Sequence, residues 1–380
     1  MVATLAQSYV HRLDPFAIEF SEGIGLRWYG LAYAAGFVIA WLIVRWFAKT
    51  GRSPLQPQAV LDLVTYVIVG VLVGGRLGYV IFYEPKLLID PPLLGLVQVW
   101  RGGMSSHGGI VGVIVACMLF GRRRGISSLH LLDIGALACA PGLCLGRLAN
   151  FVNAELWGKA LPQHMQQSPP GWSVKYPTQI LERWLPLVDP RDMTPAEHAD
   201  LVQTAATDFG ISAPASELAG QVIVEAQRRL DEVQHQLMPL LGSGDRFFSR
   251  VVAAATDAGV QAHDQVVQAI SPLLTAYYPS QIFQAISDGP ILMGLLALLW
   301  LRPRKPGIIG GWFLIIYGVL RIITEHFRQP DEGVSLTFGL LSRGQSLSVL
   351  MILVGIVGLV IVARRDVPKM GGLLKPRSAM

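Results

Sequence analysis

Charge is scarce in this 380-residue chain: Asp, Glu, Lys and Arg together make up 15% of it, where a soluble domain typically carries about 25%. With hydrophobic residues at 52% and a mean hydropathy of +0.46, this shortage excludes an ordinary soluble protein and points to a membrane protein. Cysteine is nearly absent as well. Cys117, Cys139 and Cys144 all lie in apolar stretches and give neither a disulfide framework nor a metal-ligand spacing, so no metal and no cofactor is expected. The first residues lack a charged segment followed by a short apolar stretch and a small-residue cleavage site, so no removable signal peptide is expected either. Glycine and proline, by contrast, are plentiful at 40 and 24. They sit inside apolar runs, where glycine lets helices approach closely, and this excludes collagen and disorder.

Seven runs approach the roughly 20 residues that cross a bilayer as a helix: 28–44, 60–83, 105–121, 127–147, 280–301, 307–325 and 345–363. Arg76, Asp133, Asp288 and Arg321 fall inside them, and an ionisable group in hydrocarbon is costly unless it faces a bundle interior or a wet cavity. Basic residues collect in alternate loops: Arg45, Lys49 and Arg52; Arg122, Arg123 and Arg124; Arg302, Arg304 and Lys305; and Arg364, Arg365, Lys369, Lys375 and Arg377. The positive-inside rule places these loops in the cytoplasm. The expected fold is therefore an all-α polytopic membrane protein of about seven transmembrane helices, N-terminus outside and C-terminus cytoplasmic. The net charge of +5 is a topology signal, and nucleic acid is excluded as a partner.

Residues 159–278 are too long for a bare loop in a compact fold. The stretch Ser216 to Leu241 places Leu218, Val222, Val224, Leu230, Val233 and Leu237 at helical spacing with charges between, and Phe247 to Ile270 continues similarly. This predicts an outward-facing helical arm, with a plain spacer as the equal alternative. The expected organisation is a membrane domain over 1–158, the arm over 159–278 and a second membrane part with a cytoplasmic tail over 279–380.

With this topology several unusual residues share one depth, toward the outer leaflet. Tyr29 opens the first span, His107 opens the third, Arg147 and Asn150 close the fourth, and Tyr317, Arg321 and Glu325 follow one face of the sixth at i, i+4, i+8. Arg321 can pair with Glu325 and keep donors free for an anion; Arg147 offers a second fork. Asn150 and Asn153 supply amides, and Glu155 can hold an arginine in position. Gly108 and Gly109 beside His107 allow close approach at a helix N-terminus. Each has a plain alternative: snorkelling arginines, a structural histidine, packing glycines, tyrosines and Trp157 in the interfacial belt. Arg76 and Asp133 read as buried structural groups, and Asp288 stays open.

The run Gly146 to Gly158, GRLANFVNAELWG, closely resembles the signature of the prolipoprotein diacylglyceryl transferases, bacterial inner-membrane enzymes. Residues 26–31, 74–79, 102–109, 317–325 and 327–330 support it, in order along the chain. The resemblance implies transfer of the diacylglyceryl group of phosphatidylglycerol to the thiol of a lipobox cysteine in a preprolipoprotein, forming a thioether and releasing glycerol phosphate. It implies Arg147 and Arg321 as phosphate holders, and Asn150, Glu155 and Glu325 as positioners, with Gly158, Gly108 and Gly109 at the substrate. His107 is the candidate thiol base, with Tyr29 and Tyr317 in reserve. Lipid bilayer, phosphatidylglycerol and preprolipoprotein are the expected partners, and the active site faces the periplasm. The family's short HPSQ-x-x-E motif has two partial copies here. Tyr278 to Gln284 carries glutamine at the acid position, and Tyr176 to Glu182 carries the acid, so either Glu182 or Gln284 fills that place. A transporter is the competing class, but the two halves show no clear repeat and the key groups lie to one side of the midplane.

Overall fold

The computed structural model describes residues 8–21, 24–88, 103–191, 193–242, 244, 246–257, 262–329 and 343–374. Gly102, Pro330, Lys375 and Arg377, used above, lie outside the described residues. Helices α1 (Trp28–Lys49), α2 (Val60–Phe82), α3 (Ser106–Arg124) and α4 (Ser128–Val152) come first. They are followed by α5 (Gln163–Gln166), α6 (Leu185–Val188), α7 (Pro195–Phe209), α8 (Ala215–Leu241), α9 (Phe247–Thr256) and α10 (His263–Ile270). The chain ends with α11 (Ser280–Ile286), α12 (Leu292–Leu299), α13 (Ile308–Glu325) and α14 (Arg343–Ala363). Among the described residues six helical stretches are long and apolar enough to cross a membrane: Trp28–Lys49, Pro57–Phe82, Ser128–Val152, Ser280–Leu299, Ile308–Glu325 and Gly344–Ala363. The other expected span forms α3. It is 19 residues long, but Ser-His-Gly-Gly at its start and Arg122, Arg123 and Arg124 at its end dilute its apolar middle. The architecture is that of an all-α polytopic membrane protein.

The chain divides into two compact units. One comprises Ala32–Leu145, Ile286–Leu320 and Ser348–Met380. Its core gathers Phe47, Phe120, Ile134, Leu292 and Trp300, while α14 leaves Leu350, Leu353, Val354 and Val357 about half exposed. Such a continuous apolar surface suits hydrocarbon and not water. Helix α2 presents Gly70, Gly74 and Gly78 to Gly108 and Gly112 of α3. Backbones meet there so closely that a Cβ on Gly112 would lie 1.9 Å from the Gly70 carbonyl oxygen, and one on Gly108 2.2 Å from that of Gly74. Without water to drive helices together, this close approach supplies the association energy. Two buried charges have structural work here, as expected. Asp133 accepts from the Gly307 and Gly310 amides, both at 2.7 Å, and so caps the start of α13. Arg76 donates to the Gly103 carbonyl at 2.9 Å. Asp288, fully buried in the π-turn Ser287–Ile291 that precedes α12, accepts from the Ser287 hydroxyl at 3.1 Å.

The other unit comprises Met1–Leu31, Gly146–Ala285 and Arg321–Leu347. Strands β1 (Tyr9–Val10), β4 (Val174–Lys175) and β5 (Ala276–Tyr277) form a small sheet in the order β1-β4-β5, and β2 (Phe16–Ser21) pairs antiparallel with β3 (Ile24–Arg27). The helical arm packs around α8, whose buried face carries Leu218, Val222, Ala226, Leu230, Val233 and Leu237. Val224, assigned to that row from its spacing, is instead 69% exposed, because it falls 200° around the helix from Val222. The run expected to continue through Phe247 to Ile270 is two helices, α9 and α10, each with its own buried face. At the base of the arm the chain is tied to itself: Leu161 donates its amide to Ala276 O at 2.9 Å, and Tyr278 donates to Lys159 O at 3.0 Å.

Candidate active site

Helix α4 stops at Val152, and the turn after it folds Glu155 back over the helix end, with the Glu155 amide donating to Asn150 O at 2.9 Å. The turn is held in an unusual backbone conformation. Ala154 and Leu156, on either side of Glu155, take φ of 52° and 54°, in the left-handed region that side chains normally avoid. Such strain persists only where the surroundings fix it, and it concentrates at functional sites. Here the surroundings are explicit. Trp157 Nε1 donates to Ala154 O at 2.6 Å, Gln281 Nε2 to Glu155 O at 2.6 Å, and the Ser280 hydroxyl to Leu156 O at 3.2 Å.

This turn assembles one polar group. Asn150, 5% exposed, points its amide at the Tyr29 hydroxyl, 3.1 Å away, and at Glu155 Oε2, 3.4 Å away; Asn153 reaches Glu155 Oε1 at 3.5 Å. Glu155 was expected to hold an arginine. Its carboxylate is held by the two asparagine amides instead, because the turn carries it back over Asn150. Trp157, assigned to the membrane interface from its type, is buried and stacked on Tyr176, with ring centroids 4.6 Å apart. Gly158 is fixed by space: a Cβ would lie 2.1 Å from Tyr278 O and 2.9 Å from Phe327 O.

A second polar group lies at the end of α13. Arg321 Nη2 is 3.4 Å from Glu325 Oε2, and Arg328 Nη1 approaches the same oxygen at 3.9 Å. Gly344, in the first turn of α14, is packed against the Glu325 carboxylate, so a Cβ there would meet Oε1 at 2.9 Å. A helix start favours a negative charge. Arg321 is largely buried, and its Nη1 has no hydrogen-bond partner among the described residues. The two groups are zipped together by backbone pairing: Gly158 bridges to Arg328, Lys159 N donates to Phe327 O at 2.8 Å, and Gln329 N to Trp157 O at 3.3 Å. Arg147 is half-buried in the last turns of α4. His107, Gly108, Gly109 and Tyr317 belong to the helical unit. There His107 is exposed in the first turn of α3, which Ser105 caps by accepting from the Gly108 amide at 3.3 Å, and Tyr317 stacks on Phe313. Among the described residues no cluster of three or more His, Cys, Asp or Glu could hold a metal ion.

The profile of the prolipoprotein diacylglyceryl transferases matches residues 15–361. This chain belongs to that family. It is 36% identical over 373 residues to the phosphatidylglycerol–prolipoprotein diacylglyceryl transferase of Bdellovibrio bacteriovorus, with 96% of each chain covered. It is 33% identical over 351 residues to that of Xylella fastidiosa strain 9a5c, covering 92% of both, and 34% identical over 361 residues to that of Yersinia pestis strain Pestoides F, covering 94% of this chain and 97% of the relative.

Of the two partial copies of the family's acidic motif, Gln284 is 1% exposed inside α11, whereas Glu182 lies within electrostatic reach of Glu155. Glu182 is exposed as a residue, yet its carboxyl end is desolvated. That burial, with the Glu155 charge added, outweighs the neighbouring Arg183 and raises its pKa above the usual carboxylate range. Sequence reasoning missed Arg183, Asp208, Tyr277, Gln281 and Gln329, all of which support the Glu155 turn or the segment paired with it. Asp208 carries no local signal, since an acid near the end of an amphipathic helix looks like any solvated charge.

Proposed function

We propose that this chain transfers the diacylglyceryl group of phosphatidylglycerol to the lipobox cysteine of a preprolipoprotein, at the periplasmic side of the bacterial inner membrane. Arg321 carries the reading. Its guanidinium is taken out of water, paired with Glu325 through one nitrogen, and left with a buried Nη1 that has no partner among the described residues. A forked cation in a low-dielectric place with a donor to spare suits a phosphate oxygen. Arg147 is the second phosphate holder, and Glu325 keeps the Arg321 fork aimed. Asn150, Glu155 and Gly158 shape the wall on which the glyceryl group lies, with Gly108 and Gly109 serving the same end at the start of α3.

In the reaction the cysteine thiol gives up its proton, and sulfur attacks the glyceryl carbon that bears the phosphate ester. A C–S bond forms as the C–O bond breaks, and glycerol phosphate departs with the electron pair. A free thiol has a pKa of about 8.5, so a base is needed near neutrality. His107 takes that role, with Tyr29 and Tyr317 as the other candidates. Charge growing on the departing phosphate is met by the arginines, where preorganised donors lower the barrier. The basic loops support an N-terminus outside and a C-terminus in the cytoplasm, and the organisation into 1–158, arm 159–278 and 279–380 goes with that topology.

The test is to incubate membranes containing the protein with labelled phosphatidylglycerol and a lipobox peptide. Thioether product is expected from the intact protein and none from Arg147→Ala. No product from the intact protein, where a known transferase works, would remove the proposal.

A further inference from the structure

The arm meets the zipped segments at a buried cluster built on Arg183, in the π-turn Ile180–Trp184. Arg183 is 9% exposed, and its guanidinium meets Asp208, Gln329, Trp157 and Tyr277. Nη1 donates to Asp208 Oδ2 at 2.5 Å, Nη2 donates to Gln329 Oε1 at 2.5 Å, and the guanidinium carbon sits 4.6 Å from the centroid of the Trp157 ring. Asp208, in the last turns of α7 and 5% exposed, accepts from the Tyr277 hydroxyl as well, at 2.6 Å.

What Arg183 touches matters more than the pair itself. Trp157 is two residues beyond Glu155 and holds the strained turn through Ala154 O; Gln329 follows Arg328, which bridges to Gly158 and approaches Glu325. One planar side chain therefore reaches both partners of the zipper, the strand leading from the Glu155 turn and the strand leading from Arg321 and Glu325. Holding the arm to its base would not require this. Two apolar side chains of similar volume do that as well as a buried ion pair or better, whereas a rigid fork fixes direction.

We infer that Arg183 and Asp208 are positioning residues of the transferase: Asp208 aims the Arg183 fork, and the fork sets the register between the Glu155 turn and the Arg321 to Gln329 segment. The inference rests on the transferase reading of those two groups. Neither residue touches the reacting atoms, and the arm that contributes Asp208 is thereby part of the site's scaffold and more than a spacer.

The experiment uses the full chain in lipid nanodiscs, comparing the wild type with the charge-free double variant Arg183→Met/Asp208→Leu and with Arg183→Lys, which keeps the charge but cannot span Asp208 and Gln329. Two quantities are read: kcat and KM for diacylglyceryl transfer, and amide hydrogen exchange at Lys159 and Gln329, the two donors across the zipper. In folded variants kcat is expected to fall at least tenfold with KM changed less than threefold. Exchange at those two amides should rise at least tenfold while the amides of α8 keep wild-type protection. Gln329→Ala should slow the wild type yet add nothing in the double variant. A folded variant with kcat within twofold of wild type, or with unchanged exchange at Lys159 and Gln329, overturns the inference. Should the double variant fail to fold, Arg183→Lys decides by the same readouts. Absence of product from the wild type would instead strike the transferase reading, and the exchange measurement still decides whether this pair sets the register.

Discussion

Gly108 and Gly109 are adjacent in sequence, and the structure assigns them different tolerances. In Gly108→Ala the new methyl would lie 2.2 Å from the Gly74 carbonyl oxygen, about 1.2 Å inside the 3.4 Å of ordinary contact; in Gly112→Ala the overlap with Gly70 O is larger, about 1.5 Å. In both the obstacle is backbone, so no rotamer change relieves it and α2 and α3 must separate. Alanine regains about 1 kcal/mol of helix propensity, while overpacking costs about 1–3 kcal/mol and more when a whole helix must move. Separation also loosens the neighbouring contacts at Gly74 and Gly78, so the net expectation is a loss of about 2 kcal/mol or more for Gly112→Ala and slightly less for Gly108→Ala. Gly109→Ala meets nothing nearer than Val71 at 3.9 Å and should be neutral or slightly stabilising. The assay is the fraction of purified protein that stays monodisperse in detergent after heating, read across a temperature series. Equal thermal behaviour of Gly112→Ala and Gly109→Ala would refute the reasoning. The same variants separate packing from ligand contact: if Gly109 lies against substrate, Gly109→Ala loses transfer activity at unchanged stability.

Arg321→Lys should lower the initial transfer rate at least tenfold, because lysine keeps the charge but not the fork; a near-wild-type rate would show that charge alone suffices. At Leu156, whose side chain is 41% exposed, the left-handed backbone should dominate. Leu156→Gly is therefore expected to match or exceed the wild-type melting point and Leu156→Val to melt lower, through a loss of stability of about 1 kcal/mol, and the reverse order would contradict the strain argument. Burial, with the Arg229 charge behind it, pulls the Lys175 ammonium down to about 8. Between pH 8 and the unfolded value near 10.5 the unfolded chain binds the extra proton, so this lysine's contribution to stability rises with pH across that window. The stability of Lys175→Met relative to the wild type should therefore fall between pH 7 and pH 10.5, as read by denaturation at the two pH values; a difference that does not change with pH would exclude the titration as its cause.

The membrane helices were legible because their information is local: an apolar run of the right length is a helix in lipid wherever it occurs. Helix α3 was legible as a span for its apolar middle, although its glycines, needed to meet Gly70 and Gly74, dilute that signal. The α8 face was legible by period, with Val224 as the slip, since a six-residue list read by eye does not resolve angle. Within the site, Arg321 and Glu325 could be paired from i, i+4 spacing alone. Glu155 could not be placed. Its partners depend on a left-handed turn at Ala154, and nothing in an alanine announces a positive φ. Trp157 illustrates the same limit: its burial needs Tyr176 and Arg183, and the latter is held by Asp208, far along the arm. Contacts of that kind are decided by tertiary packing, which leaves no periodic trace.

The paired hydrogen bonds at the base of the arm, Leu161 to Ala276 and Tyr278 to Lys159, make it a closed side branch of the chain. Closing a loop grows costlier only slowly with its length, by about 0.6 kcal/mol for each doubling, so the base is nearly indifferent to how much chain it encloses. A transferase built this way can lengthen, shorten or exchange what lies beyond Leu161 while the strand that leads from Glu155 keeps its course. The constraint on any such exchange is a chemical one: the new branch must still present a guanidinium to Trp157 and Gln329, with a carboxylate to aim it.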